Sequence, residues 1–240
     1  MKMEPKEAFI EITKDSTKTT LDLLNHYLTN LQKEKKPFYF GDTLFDKNKS
    51  RQLLITQLIK PSKIIAIELR ANDSIIKFYG LNNKKWKCIG TEKINIPIYT
   101  INFEDLDGDD NDEIITATSR NMNGNTWMEV YYKTPNKELI HYAGSLSTDY
   151  KIVYKKKQIE ETYEGSQYMD PSKTIYQWIN ESLIPIKKIA IIHKENGNSY
   201  LEYSENKLKN KEGLKIIYNE IYTNTTKQNQ IWDTFFNSTH

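Results

Sequence analysis

Cysteine is almost missing from this chain of 240 residues: the one present, Cys88, excludes an internal disulfide and any multi-cysteine metal site. Cys88 alternates with Trp86, which places it as a small inward-packing residue rather than a reactive thiol. Glycine is scarce too. Nine are few for a protein with many tight turns, so Asn and Asp must serve in several of them. No apolar run reaches the length of a membrane-spanning helix, so no membrane span is expected. Lys and Arg number 34 against 32 Asp and Glu, and the lysines are spread along the chain. A net charge of +2 without a basic stripe makes no case for nucleic acid. The segment Met1–Lys6 lacks the apolar core of a signal peptide, which leaves a cytosolic protein or one whose leader has been removed.

Catalytic signatures are absent as well. There is no Gly-x-Ser-x-Gly elbow, no His-Glu-x-x-His, no glycine-rich phosphate loop and no Cys/His cluster. The histidines, His26, His141, His193 and His240, are far apart in sequence. Acids for glycoside hydrolysis can be drawn from Glu160, Glu161, Glu164 and Asp170, but their spacing also suits a solvated hairpin. The expectation is a protein that is not an enzyme.

What the chain does have is aromatic residues, 16 Tyr and 4 Trp among them, and many short apolar runs. Aromatic and β-branched side chains suit a pleated, half-buried surface. Runs such as Ile64–Ile67, Ile75–Tyr79, Trp86–Ile89, Trp127–Tyr132, Ile159–Tyr163 and Leu183–Ile192 are separated by Asn, Asp, Pro and Gly turns. Their close spacing predicts an antiparallel meander, with Leu183–Ile192 near the centre of a sheet. Asn196-Gly197-Asn198 predicts a tight hairpin before Tyr200–Tyr203. One helix is predicted over Ser16–Lys36, where Leu21, Leu24, Tyr27, Leu28 and Leu31 form an apolar stripe and Pro37 ends it. The late aromatics Trp232, Phe235 and Phe236 would pin the tail or form a short final helix. The expected fold is mostly β, with residues 1–37 a helical extension, 52–222 the sheet body and 223–240 a tail, all in a single β domain.

One stretch stands apart. Counting Glu104, seven of ten consecutive residues up to Glu113 are carboxylates. Asp105, Asp107 and Asp109 alternate, the backbone of Asn111 follows, and Glu113 closes the run at position 9. Ca²⁺ takes about six to eight oxygen ligands, and a short loop can supply them from such positions. The EF-hand closes at position 12, and the flanks Ile98–Phe103 and Ile114–Thr118 are strand-like, so this loop joins two strands. A metal-free polar turn is the plain alternative, since Asp, Asn and Gly favour turns anyway. Repulsion among so many carboxylates would disfavour its closure, whereas a cation would offset it. Glu104, Asp110 and Asp112 are expected outside the cage, facing water.

The run Asp105-Leu106-Asp107-Gly108-Asp109, closed by Glu113 and followed by Ile114-Ile115, resembles the calcium loop of FG-GAP-type β-propeller repeats. The family usually has Gly where this chain has Asp110, and Asp tolerates the left-handed backbone better than most residues. A full propeller carries several such loops, and this chain has one. The nearer resemblance is to small bacterial proteins with a single loop and a propeller-like β fold, some related to periplasmic lysozyme inhibitors. Tyr150–Tyr154, Gln158–Tyr163, Tyr176-Gln177-Trp178 and Leu183–Ile186 follow the order of strands in that group, and the likeness runs from about residue 60 to 195. It implies a non-enzymatic exported binding protein, periplasmic or at the cell surface, stabilised by Ca²⁺. Its partner would be a protein or glycan, with a lysozyme-like cell-wall hydrolase one specific case. A polysaccharide- or peptide-acting hydrolase with structural calcium is the alternative. Asn121–Thr126 and Glu164–Ser172 are the loops long enough to reach into a partner's active site.

Overall fold

A computed structural model describes residues 8–9, 20–26, 42–45, 51–58, 63–70, 73–94, 98–120, 126–134, 139–147, 149–165, 169–208 and 213–237. Among these the protein is mostly β, as the periodicity predicts, with three sheets, two α-helical segments and one 3-10 turn at Tyr154–Lys156. The first sheet runs in chain order through β1 (Ala8–Phe9), β2 (Asp42–Phe45), β3 (Arg51–Leu58), β4 (Lys63–Arg70), β5 (Ile75–Asn82) and β6 (Lys85–Lys93). The second holds β7 (Thr100–Glu104), β8 (Glu113–Arg120), β9 (Thr126–Thr134) and β10 (Leu139–Ser147), in the order β10-β9-β8-β7. The third runs through β11 (Tyr150–Val153), β12 (Gln158–Tyr163), β13 (Ser172–Ile179), β14 (Ser182–His193), β15 (Ser199–Glu205) and β16 (Lys215–Ile221). β1 pairs parallel to β2, while the pairs from β2 through β6, β7 with β8, and those from β11 through β16 are antiparallel. The helices are α1 (residues 20–26) and α2 (Thr226–Asp233).

Turns are made largely without glycine. Asn83 and Lys84 both take positive φ, 45° and 63°, in the two-residue link between β5 and β6. Asn180 and Glu181, at 49° and 61°, do the same between β13 and β14. Two successive left-handed residues are what a type I′ hairpin requires, because its twist matches that of the flanking strands. Gly197, with φ 78°, turns the predicted hairpin between β14 and β15, closed by the Lys194 N–H to Asn198 carbonyl bond at 3.0 Å.

The chain forms two compact units: Met1–Asp105 with Asp110–Thr118 and Tyr131–Tyr142, and Leu106–Asp109 with Ser119–Val130 and Ala143–His240. No composition shift marks this division, because the chain crosses it repeatedly. In the first unit, alternation along β4 and β5 sends side chains to two separate cores. Ile65, Ile67, Ile76 and Phe78 join Ile89, Ile114, Tyr131 and Ile140, so one face of the first sheet is covered by strands of the second. Ala66 and Tyr79 join Leu53, Ile55, Trp86 and Leu24, so the other face is covered by α1. Burial on both faces is why these strands read as nearly continuous apolar runs. Cys88 packs beside Trp86 in the second core, as its alternation predicts. Of the helix predicted over Ser16–Lys36, residues 20–26 are described and helical; Tyr27, Leu28, Leu31 and Pro37 lie outside the described residues.

A carboxylate sits beneath α1. Glu68 has no exposed surface, and accepts hydrogen bonds from Thr20 Oγ1 at 3.0 Å, Arg70 Nε at 2.8 Å and the Tyr79 hydroxyl at 2.5 Å. Burial, then the bond to Glu68, pushes the Tyr79 phenol well above its usual range, so it stays a donor. This group ties Thr20 of α1 to β4 and β5, a fixed register that apolar packing alone would not impose.

In the second unit, β14 lies inside the third sheet, as its apolar sequence predicts. Ile175, Ile186, Ile189 and Leu201 pack with Phe235, and Ile231, Trp232 and Phe236 close around them. The tail aromatics thus do what the sequence suggests: they pin α2 and the turn after it to the sheet. Lys173 Nζ adds a 2.9 Å bond to the Trp232 carbonyl.

Three substitutions test these contacts. Gly90 lies so close to Ile140 that an added Cβ would collide with its carbonyl oxygen. Gly90→Ala is expected to cost about 1–3 kcal/mol of unfolding free energy, the usual range for overpacking, in urea melts. Removing the Tyr79 hydroxyl (Tyr79→Phe) is expected to cost about 1–3 kcal/mol. Glu68→Ala, which removes the buried acceptor shared by Thr20, Arg70 and Tyr79, is expected to cost about 3–5 kcal/mol.

Candidate metal centre

The register of β7 and β8 sets the acidic loop. Phe103 faces Ile114 and Glu104 faces Glu113, so residues 105–112 form the connection. Leu106 is fully buried and anchors the loop, while the carboxylates on either side of it are half-exposed. Ligand oxygens of Asp105, Asp107 and Asp109 all lie within 4.8 Å of one another. Two backbone donors hold this arrangement: the Asp109 N–H bonds Asp107 Oδ1 at 3.0 Å, and the Asp110 N–H bonds Asp105 Oδ2 at 3.1 Å. Gly108 has φ 79°, and an added Cβ would stand 3.2 Å from the Tyr154 ring. Asp110 has φ 64°, in the left-handed region where the resembling family places Gly.

The other predicted ligands sit as follows. Asn111 is half-buried next to the turn. Glu113 is the first residue of β8, only 1% exposed, and lies outside the group of three clustered carboxylates. Glu104 and Glu113 are directly paired across the strands, where like charges are unfavourable unless something offsets them. Asp110 is exposed, as expected. Asp112 is not: it is 5% exposed, which corrects its placement among the water-facing charges. It immediately precedes β8, and the chain entering a buried strand carries it inside. As a donor set the trio is all oxygen, with no nitrogen or sulfur, which suits a hard cation such as Ca²⁺.

Two further polar sites involve residues that the sequence offers only as candidate acids or scattered histidines. Asp170 Oδ1 lies 2.6 Å from His193 Nδ1 and also accepts the His193 backbone N–H at 3.0 Å. The residues are 23 apart, on either side of a hairpin, and sequence spacing carries no trace of the pairing. The second is Glu161, inward-facing on β12 between Ile159 and Tyr163, both buried. That alternation was a usable signal. Glu161 accepts the Ser147 N–H at 2.6 Å and the Tyr176 hydroxyl at 3.3 Å. Burial raises its pKa above the usual carboxylate value, against the opposing pull of these bonds and of Lys188.

No protein-family model matches the chain, and no curated protein matches it. A solved structure described as "Structure of a Xanthomonas Type IV Secretion System related protein" is similar with a TM-score of 0.39. It is 10% identical, over 70% of this chain and 90% of that one.

Glu161 predicts a pH dependence. Because its pKa is higher folded than unfolded, its contribution is full below the unfolded value and is lost as pH rises through the raised native value. Glu161→Gln keeps an acceptor for the Ser147 N–H and removes the charge. The variant is expected to lose that downward slope when unfolding free energy is followed from pH 4 upward. Asp110→Gly, relieving a left-handed non-glycine residue, is expected to raise stability by about 1 kcal/mol in metal-free buffer.

Proposed function

We propose that this protein is an exported, non-enzymatic binding protein whose loop at 105–113 holds one structural Ca²⁺ ion. The observation that carries this is the convergence of Asp105, Asp107 and Asp109 within 4.8 Å at a turn between two core strands. Asp105, Asp107 and Asp109 would ligate through their carboxylates, Asn111 through its backbone and Glu113 as the closing acid. The ion would offset repulsion among the acids and fix how Phe103 and Ile114 reach the core. Loops of this kind suit compartments where calcium is plentiful, since extracellular modules bind at about 10⁻⁴–10⁻³ M. The resemblance to single-loop bacterial proteins supports a propeller-like arrangement and a protein or glycan partner, a lysozyme-like cell-wall hydrolase being the specific candidate.

A second reading, a hydrolase acting on polysaccharide or peptide, is favoured by one observation, the Asp170–His193 pair. The carboxylate fixes the imidazole through Nδ1 and leaves Nε2 as the nitrogen able to exchange a proton with a substrate. A turnover screen on cell-wall and glycan substrates, with wild type and His193→Ala, separates the two. Turnover that His193→Ala abolishes supports the hydrolase; no turnover, with inhibition of an added lysozyme, supports the binding protein.

The metal assignment has its own measurement. A ligand bound only by the folded state stabilises it by about 2.7 kcal/mol at a hundredfold excess over Kd. Calcium is therefore expected to raise the melting temperature and chelator to lower it, with magnesium a poor substitute because it demands a tighter octahedral shell. Asp107→Asn should lose most of the calcium response. Asp110→Asn is the control, since Asp110 is exposed and Asp112 is not. A melting temperature indifferent to chelator would show the assignment to be wrong.

A further inference from the structure

β16 is the last strand of the third sheet, paired with β15 on one side, and its other edge has no strand among the described residues. It is also the most exposed strand there: Ile216, Ile217, Tyr218 and Ile221 are 58%, 50%, 38% and 53% exposed. Such an edge invites addition of another strand. The Tyr222 N–H bonds the Ser199 carbonyl at 2.7 Å, so Tyr222 faces β15. By alternation, the backbone groups of Asn219, Ile221 and Thr223 face outward.

Gln228, in the first turn of α2, occupies part of that outward edge. Its Nε2 donates to the Ile221 carbonyl at 2.8 Å, and its Oε1 accepts the Thr223 N–H at 2.9 Å. A carbonyl and the N–H two residues on are the two groups that one residue of a parallel neighbouring strand would bridge. The side-chain amide therefore stands where a strand would pair. The same Nε2 reaches Glu220 Oε1 at 3.0 Å, and Oε1 also takes the Thr225 N–H at 3.3 Å, so the amide is fully satisfied. It is 5% exposed. A register shift at Ile217 shortens the regular edge further, which makes the two groups held by Gln228 a large share of what remains.

We propose that Gln228 is a latch over the β16 edge, and that when it lets go this edge pairs with β16 of a second copy of the chain. The strand is self-complementary. In an antiparallel pair with Asn219 on the two-fold axis, Tyr218 meets Glu220, and Ile217, at the end of the regular edge, meets Ile221. Apolar faces apolar, a phenol faces a carboxylate, and no like charges are opposed. An isologous contact of this kind closes at the dimer instead of growing into a fibre.

Sedimentation velocity over a range of concentrations tests the latch. Gln228→Glu retains an acceptor for the Thr223 and Thr225 N–H groups, so helix capping survives, but it cannot donate to Ile221 and repels Glu220. This variant and Gln228→Ala are expected to form a concentration-dependent dimer under conditions in which wild type does not. Adding Asn219→Pro removes an outward N–H without touching the β15–β16 ladder, and should restore the monomer. Both variants sedimenting as wild type does, or association that survives Asn219→Pro, would overturn the proposal. Hydrogen exchange on the wild-type protein provides a check that no variant can confound by misfolding. The Thr223 amide should be protected although it lies on an open edge, and exchange at the rate of a free amide would falsify the latch.

Discussion

Covering the faces of apolar sheets is the constraint on which the rest of this structure depends. A strand such as Ile64–Ile67 is apolar on both sides, and a sheet of such strands must be packed on both faces or stay in solution as an aggregation hazard. The first sheet is covered by strands of the second on one side and by α1 on the other. One face of the third packs under α2 and the aromatic tail. The eight-residue α2 is too short to be stable by itself; it exists because an apolar face is waiting for it. Eight residues suffice when Trp232 has that face to pack against.

Apolar packing sets where elements lie but is tolerant of small slips, and buried polar groups remove that tolerance. Glu68 under α1 and Gln228 at the start of α2 play comparable parts, each binding a helix to particular strand residues through several directional bonds. A half-satisfied buried group is costly, so a shifted helix would lose these bonds together. Glu161 works differently. Its bonds to Ser147 and Tyr176 do not outweigh the cost of burying its charge, so it favours the folded state most when protonated.

The acidic loop concentrates charge at a turn between two core strands. Its geometry is set by backbone as much as by side chain: residues with positive φ at 108 and 110 bend the chain so that three carboxylates turn toward one another. That approach is unfavourable among anions alone and favourable around a cation, which is the physical basis of the calcium proposal.

Much of the architecture was legible in the chain. Period-2 runs and Asn-rich turns mark nearly every strand from β3 to β16, because strand alternation and left-handed turn residues are local properties. The alternating acids at 105, 107 and 109 were visible for the same reason. The short strands β1 and β2 were not, since two to four residues carry no periodicity and β1 is defined by its pairing with β2. The burial of Asp112 was missed because a charge looks solvent-facing until the strand entry that carries it inside is known. The Asp170–His193 pair, the Glu68 group and the Gln228 contact with Ile221 and Thr223 escaped as well. Sequence determined which residues form strands, where the chain turns and where acids crowd, because those depend on neighbours a few residues apart. Tertiary structure decided which polar side chains meet and which charges are buried, because those contacts join residues up to 59 apart and depend on how sheets and helices cover one another.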